Sequence, residues 1–392
     1  MINEVINGIK PLYKDKIEEA KIRVDSLAKP LGSLGRLEDL AIQISGITGN
    51  IKNSIKNKGI IIMSADNGVV EEGVASSPQY VTLAQTKNFI RGKTGVCAIG
   101  KTNDTKLIVV DIGINSDEKI NGVVDKKISK GTRNIYKENA MSYEEAKRGI
   151  EIGIDMAKKA KDEGFDIIGV GEMGIGNTTT SAAVLMCLID CEVDKVVGKG
   201  AGVTEEAFNK KKLVVKTAVE SKDINKMDPI DIISKVGGYD IAGMTGVFLG
   251  AAFYRIPVVI DGFISVVSAL LASRLNPIVK EYLISSHKSK EIGYNLAIEE
   301  LGLEPMLNLG MRLGEGSGCP IAFSVVEFAL SMMNNMATFE EGEIDNSYLE
   351  KIKGEENYIV WQYLLLAGLK VKSLIMESLL QKSYLIKEIY II

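Results

Sequence analysis

The sequence predicts an α/β fold: a parallel, Rossmann-like sheet flanked by helices, with a small helical region from the N- and C-terminal segments. Three observations carry this. First, short apolar runs recur, each leaving through polar or glycine-rich residues. Gly59–Ser64 exits into Ala65-Asp66-Asn67-Gly68, Leu107–Val110 into Asp111-Ile112-Gly113, and Asp166–Val170 into a Gly/Glu turn. Pro257–Ile260 exits into Asp261-Gly262, and Tyr282–Ser285 into Ser286-His287. Second, helical patterns such as Tyr143–Lys161 and Thr204–Ser221 separate most of these runs, and strand–helix alternation of this kind implies a parallel sheet covered on both faces. Third, FDIIGVGEMGIGNTTTSAAVLMCL, Phe165 to Leu188, reads as a buried strand, a glycine turn and a helix from Thr180.

Ligands of such sheets sit beyond the carboxyl ends of the strands, so the polar exits are candidates by position. The stretch from Phe165 adds chemistry. Its turn holds Gly169, Gly171, Gly174 and Gly176, followed by Asn177, Thr178 and Thr179, and lets an anion approach the N–H groups of a helix N-terminus. Glu172 inside the same turn is a carboxylate that a pure phosphate cradle does not need. The pairing points to a substrate that is only partly phosphate.

The N-terminal helical part spans residues 1–50, the α/β domain 51–325, and the C-terminal helical part 326–353, with Val325–Lys353 read as helical. Residues 354–392 differ in texture: they hold the single tryptophan, Trp361, and the apolar run YLLLAGL. This tail reads as an added helix or as an extension with no part in the chemistry, and the second is the expectation. The greasiest stretch, Ile241–Ala272, is broken by Arg255, Pro257 and Asp261 and does not read as a spanning helix. The polar, amphipathic start is no signal peptide.

Composition narrows the function. Of 392 residues, 47 are Lys or Arg and 51 Asp or Glu; this net charge of −4 lacks the basic balance of a nucleic-acid binder. Cys97, Cys187, Cys191 and Cys319 form no CxxC and no disulfide framework; Cys187 and Cys191, four apart on one expected helix, read as core. A reducing cytoplasm fits them. The one histidine, His287, cannot build a multi-histidine metal site, and acid–base work falls to carboxylates, lysines or tyrosines.

Gly95-Val96-Cys97-Ala98-Ile99-Gly100-Lys101-Thr102 satisfies the P-loop expression, but a helical pattern (Thr82–Arg91) precedes it and a strand follows, the reverse of the required order. Gly169-Val170-Gly171-Glu172-Met173-Gly174 satisfies the dinucleotide pattern, with Asp190 at the ribose-acid spacing, though no second strand leads into Asp190. An NAD-dependent oxidoreductase is therefore the rival reading. Leu313-Gly314-Glu315-Gly316-Ser317-Gly318 places one carboxylate among small residues, a solvated turn acid or a general base. The loop from Asp66 through Ser77-Pro78-Gln79-Tyr80 offers a pocket wall, Lys199, Lys211 and Lys212 offer cations, and Gly237–Gly243 reads as a further turn.

Together these segments resemble the nicotinate-nucleotide:dimethylbenzimidazole phosphoribosyltransferase family. The resemblance lies in KPLGSLGRLEDLA (Lys29–Ala41), ADNGVVEEGVASSPQYVT (Ala65–Thr82), GEMGIGNTTTSAA (Gly171–Ala183), GKGAGV (Gly198–Val203), GGYDIAGMTG (Gly237–Gly246), VIDGFISVVSAL (Val259–Leu270) and EPMLNLGMRLGEGSG (Glu304–Gly318), in family order from about residue 25 to about 340. It implies that Glu315 is the general base and Glu172 the second carboxylate, near the ribose. It implies phosphate-side contacts from Gly174, Gly176, Asn177, Thr178, Gly200 and Lys211, and a base pocket walled by Ser77, Tyr80, Gln85, Met173 and Leu313. The substrates it implies are nicotinate mononucleotide and a benzimidazole-type base, with no metal or other cofactor, in a cytoplasmic homodimer that binds neither nucleic acid nor membrane. A non-catalytic nucleotide sensor is the third reading; it has no use for Glu315 beside an anion site.

Overall fold

The computed structural model describes residues 1–200 and 202–347. The expected tail at 354–392, with Trp361, lies outside the described residues. Six strands form one parallel sheet: β1 (Lys58–Ala65), β2 (Lys106–Gly113), β3 (Val124–Asp125), β4 (Ile167–Met173), β5 (Val258–Ile260) and β6 (Leu283–Ser285). Their order is β3-β2-β1-β4-β5-β6. This is the doubly wound order, and it reverses direction between β1 and β4, where a ligand crevice opens. β1 is buried along its whole length, which is why Gly59–Ser64 reads as a continuous apolar run rather than an alternating one. Only the two-residue edge strand β3 has no counterpart in the sequence reading, being too short to show a period.

Thirteen helices surround the sheet among the described residues. The first three are α1 (Ile2–Gly8), α2 (Lys14–Ser26) and α3 (Arg36–Thr48); α4 (Val81–Ile90) and α5 (Gly95–Gly100) lie between β1 and β2. Then come α6 (Tyr143–Asp162), α7 (Asn177–Ile189), α8 (Glu205–Glu220), α9 (Pro229–Val236) and α10 (Tyr239–Phe253). The last are α11 (Phe263–Leu275), α12 (Tyr294–Leu301) and α13 (Cys319–Asn335). α3 packs on α13. Of the helical pattern over Val325–Lys353, α13 accounts for the stretch to Asn335, residues 336–346 are turns and irregular chain, and residues 348–353 lie outside the described residues.

Two units divide the chain: residues 1–24 with 34–335, which hold the whole sheet, and residues 25–33 with the chain from Met336 on. In the second, Leu27 and Thr338 form an antiparallel bridge, flanked by Ala28 N–H donating to Ala337 O (2.9 Å) and Phe339 N–H to Ser26 O (2.9 Å).

Local signals explain the large helices. α6 opens with a capping box: the Glu145 N–H donates to Ser142 Oγ (3.2 Å), and the Ser142 N–H to Glu145 Oε2 (2.7 Å). α10 and α11 are the greasy stretch; Tyr239 to Ala252 is buried on every side, as expected of a helix inside a core rather than on its surface. α10 starts at Tyr239, so Gly237–Gly243 is a helix entry and not a turn, and a Cβ on its Gly243 would crowd Met63 of β1 and Ile112 of β2. α6 and α10 cross backbone to backbone: a Cβ on Gly153 would collide with Gly243 O, and one on Gly246 with Ile150 O. Gly153→Ala is therefore expected to lower unfolding stability by at least about 1–3 kcal/mol, the range for overpacking, read as a reduced urea midpoint. An unchanged midpoint would refute the close crossing.

Candidate active site

Strand β4 is longer than its sequence suggests. It pairs with β1 through Ser64↔Met173, so Glu172 stands on the strand and not in the turn after Val170. Glycine hid this, because Gly171 looks like a turn residue. Its missing side chain has another use: a Cβ there would lie 2.7 Å from Gly316 N. The 313–318 loop thus lies directly on the strand, which brings Glu315 and Glu172 into one pocket.

That pocket, of about 330 Å³, lies beyond the carboxyl ends of β4, β5 and β6, with α4 forming part of its wall. Glu172 and Glu315 are 7% and 6% exposed, so neither is a solvated turn acid. Glu315 Oε1 accepts from Gln85 Nε2 (2.6 Å) and Oε2 from the Val96 N–H (3.3 Å). Glu172 Oε2 accepts from Asn177 Nδ2. Burial first, then the nearby Asp240, Asp261 and Glu315, push the Glu172 carboxyl well above its ordinary range. Asp261 and Asp240 are likewise raised, each to about 7, mainly by burial.

The helix of the opening motif starts three residues earlier than predicted. α7 begins at Asn177, after Gly176 in the left-handed region (φ 94°). Gly174, Asn177, Thr178 and Gly200 line the pocket, with Met173, Gln85 and Leu313. Lys211 stands behind this wall, 1% exposed, its Nζ donating to Thr178 Oγ1 (2.9 Å) and Gly198 O (3.0 Å). Burial lowers its pKa to about 8. Lys199 and Lys212 instead pair with Glu205 and Asp194. Besides Lys211, three expected residues are not on the pocket surface: Gly176 is buried, Ser77 is half-buried, and Tyr80 is 71% exposed at the start of α4. The same helix does bring Val81 and Gln85 into the wall.

The remaining motifs resolve plainly. Gly95–Gly100 is α5, a helix before a strand, so no P-loop forms. Gly169 and Gly171 are strand residues, and Asp190 caps the end of α7, paired with Lys226 and leading into no strand. The ribose-binding half of a dinucleotide site is missing there. Cys187 is buried in α7, while Cys191 lies beyond its end. Asp111, another strand exit, faces away, toward a wide hollow of about 800 Å³. There it pairs with Lys127 (3.1 Å) while Lys130 pairs with Asp117 (2.6 Å), so the charges are mutually satisfied.

The pocket contains more than the motifs named. Asp261, His287, Ser289, Glu291 and Arg312 also line it. Asp261 and His287 were marked by the strand-exit rule and Arg312 lies within the Glu304–Gly318 segment, whereas Ser289 and Glu291 lie in a loop without any pattern. Burial lowers the His287 pKa.

Buried carboxylates at the carboxyl end of a Rossmann-type sheet, beside a helix N-terminus and a buried lysine, are the equipment of an enzyme whose substrate is only partly an anion. A family model described as "Phosphoribosyltransferase" matches residues 9–344. The chain is 70% identical over 360 residues to the nicotinate-nucleotide–dimethylbenzimidazole phosphoribosyltransferase of Clostridium perfringens, covering 92% of this chain and 100% of that protein. It is 51% identical over 344 residues to the Clostridium acetobutylicum enzyme of the same name, covering 88% and 98%. The crystal structure of CobT from Thermus thermophilus superposes with a TM-score of 0.82 at 34% identity, over 85% of this chain and 100% of that one. The chain belongs to the nicotinate-nucleotide–dimethylbenzimidazole phosphoribosyltransferase family and is an enzyme.

The raised carboxyls have a thermodynamic consequence. Asp240 and Asp261 titrate near 7 when folded, against an ordinary 3.8. The folded chain holds more protons in this interval, so their contribution to stability is full below about pH 4 and is lost as pH rises through 7. Stability of the wild type minus that of Asp240→Asn is therefore expected to fall, by a few kcal/mol at most, from pH 4 to 7.5. Thermal melts across that range measure it; a flat difference would contradict the burial argument.

Proposed function

We propose that this pocket transfers the phosphoribosyl group of nicotinate mononucleotide to 5,6-dimethylbenzimidazole or a related base. The products are α-ribazole 5′-phosphate and nicotinate, and the step belongs to nucleotide-loop assembly of cobalamin. The observation that carries the reading is the convergence of two buried carboxylates, Glu315 and Glu172, with the α7 N-terminus and Lys211.

One ring nitrogen of the base attacks C1′ of the ribose as the C1′–N bond to the pyridinium ring breaks. Its electron pair leaves with nicotinate, neutralising the cationic ring nitrogen. Attack from the opposite face inverts β to α. The other ring nitrogen loses its proton to Glu315, whose Oε1 is held by Gln85. The oxocarbenium-like charge at C1′ is stabilised by Glu172. Thr178, Asn177, Gly174 and Gly200, with Gly176 and Lys211 behind them, hold the phosphate. Met173, Leu313 and Gln85 wall the base, and Ser77 and Tyr80 are assigned to this wall on resemblance. A homodimer in the cytoplasm is the assembly and setting the resemblance supports; no described helix is long and apolar enough to cross a membrane.

The test is nicotinate release from the mononucleotide on adding the base, followed by chromatography, with the linkage of the product determined by NMR. Release without dependence on the base would sink the reading. Glu315→Gln is expected to lower turnover about 10²–10⁴-fold while mononucleotide binding stays nearly unchanged; wild-type-like turnover would remove Glu315 from the role. Because Glu172 is buried and raised, the cationic ring is expected to displace a proton from it. Titration calorimetry in buffers of different ionisation enthalpy should then show net proton release on mononucleotide binding, reduced in Glu172→Gln; equal heats in all buffers would refute the exchange.

A further inference from the structure

Glu315 sits in an expensive stretch of backbone. Gly314, Glu315 and Gly316 all have left-handed φ, at 84°, 63° and 79°. Two glycines adopt this without cost, but Glu315 does so against the usual steric preference, at roughly 1–2 kcal/mol. Within the loop, the Ser317 N–H donates to Gly314 O (3.0 Å), and the Cys319 N–H to Gly316 O (3.0 Å) leads into α13. Neither bond dictates which way the Glu315 side chain faces.

The outside support comes from Asp261, at the exit of β5. It is 3% exposed, and both its oxygens are used on this loop: Oδ2 accepts from the Gly316 N–H (3.0 Å) and Oδ1 from the Gly318 N–H (2.7 Å). Asp261 is itself held. Ser286 Oγ donates to its main-chain carbonyl (3.0 Å), and His287 Nδ1 stands 3.9 Å from Oδ1, with Ser286 Oγ 3.1 Å from that nitrogen. A carboxylate accepts two N–H groups at once through two equivalent oxygens; an amide in its place must turn an NH₂ toward one of them.

We propose that Asp261 is the positioning residue for Glu315. By pinning the N–H groups one and three residues beyond it, Asp261 fixes the left-handed turn that aims the Glu315 carboxylate at Gln85 and the pocket. The proposal rests on the general-base role given to Glu315 above. It differs from a plain helix-capping role for α13, in which Asp261 would contribute to stability whatever residue 315 does.

The test is a double-mutant cycle on the full chain: Asp261→Asn, Glu315→Gln and the pair, with kcat and KM for mononucleotide measured by base-dependent nicotinate release. Misplacing a catalytic group by an ångström costs up to about 10²-fold. Asp261→Asn is expected to lower kcat about 10–100-fold, with KM changed less than about threefold. In the Glu315→Gln background it is expected to cost less than about threefold, since it acts through Glu315. An equal loss in both backgrounds, or an unchanged kcat, would overturn the proposal. If Asp261→Asn does not fold, Ser286→Ala, which frees the Asp261 carbonyl, is expected to lower kcat about two- to fivefold in the parent only; equal losses in both backgrounds again overturn it. An unaltered chain that releases no nicotinate would sink the functional reading itself and this proposal with it, whereas an active parent with additive losses sinks this proposal alone.

Discussion

Burial of carboxylates at the carboxyl end of the sheet is the constraint around which the rest is arranged. Glu172, Asp240, Asp261 and Glu315 are each at most 7% exposed, and among the described residues none forms an ion pair with lysine or arginine. Removing charge from water without a partner is expensive, and the protein meets part of the cost with hydrogen-bond donors. Backbone and amide donors hold some of the oxygens: Gly316 and Gly318 on Asp261, Val96 and Gln85 on Glu315, Asn177 on Glu172. The remainder shows as carboxyls of Glu172, Asp240 and Asp261 raised above their ordinary range, mainly by burial. A pocket of this kind is poised for a cation, and a substrate with a cationic ring and an anionic phosphate at opposite ends meets complementary charge at each.

The fold supplies the rigidity such a cluster needs. β1 and β4 are central strands, and the elements that carry the acids are seated on them through glycines. Gly171 admits the 313–318 loop onto β4, and Gly243, whose Cβ would lie 2.9 Å from Met63 Sδ, admits α10 onto β1, with Asp240 in the first turn of that buried helix. A site on strands and buried helix ends holds its geometry better than one on free loops. Only the phosphate side, with Thr178, Gly200 and Lys211, is drawn from a helix start and an adjoining glycine loop. In the proposed reading this side meets the phosphate, for which position matters less than charge.

Much of this was legible in the amino-acid sequence. Apolar runs with polar exits marked five of the six strands and, by position, Asp66, Asp261 and His287. The scarcity of histidine left acid–base work to carboxylates, and Glu172 and Glu315 stood out as acids among glycines. Seven segments in order carried the family. These features are local: run length, periodicity and residue type are set by neighbours in the chain.

What only the tertiary structure decided concerns neighbours across the chain. That Glu172 is on a strand follows from its pairing with β1, which no local pattern reports. Glu315 and Glu172 share a pocket because Gly171 lacks a side chain, and the glycine that looked like a turn is a docking surface for another loop. The resemblance had singled out Lys211, but its burial and its bonds to Thr178 and Gly198, against the surface ion pairs of Lys199 and Lys212, come from the packing. Asp261 acquires its part from two N–H groups more than fifty residues away. Residue type determined which groups could do chemistry; the packing of distant segments decided which of them lost water, and it is loss of water that turns an ordinary carboxylate into a reactive one.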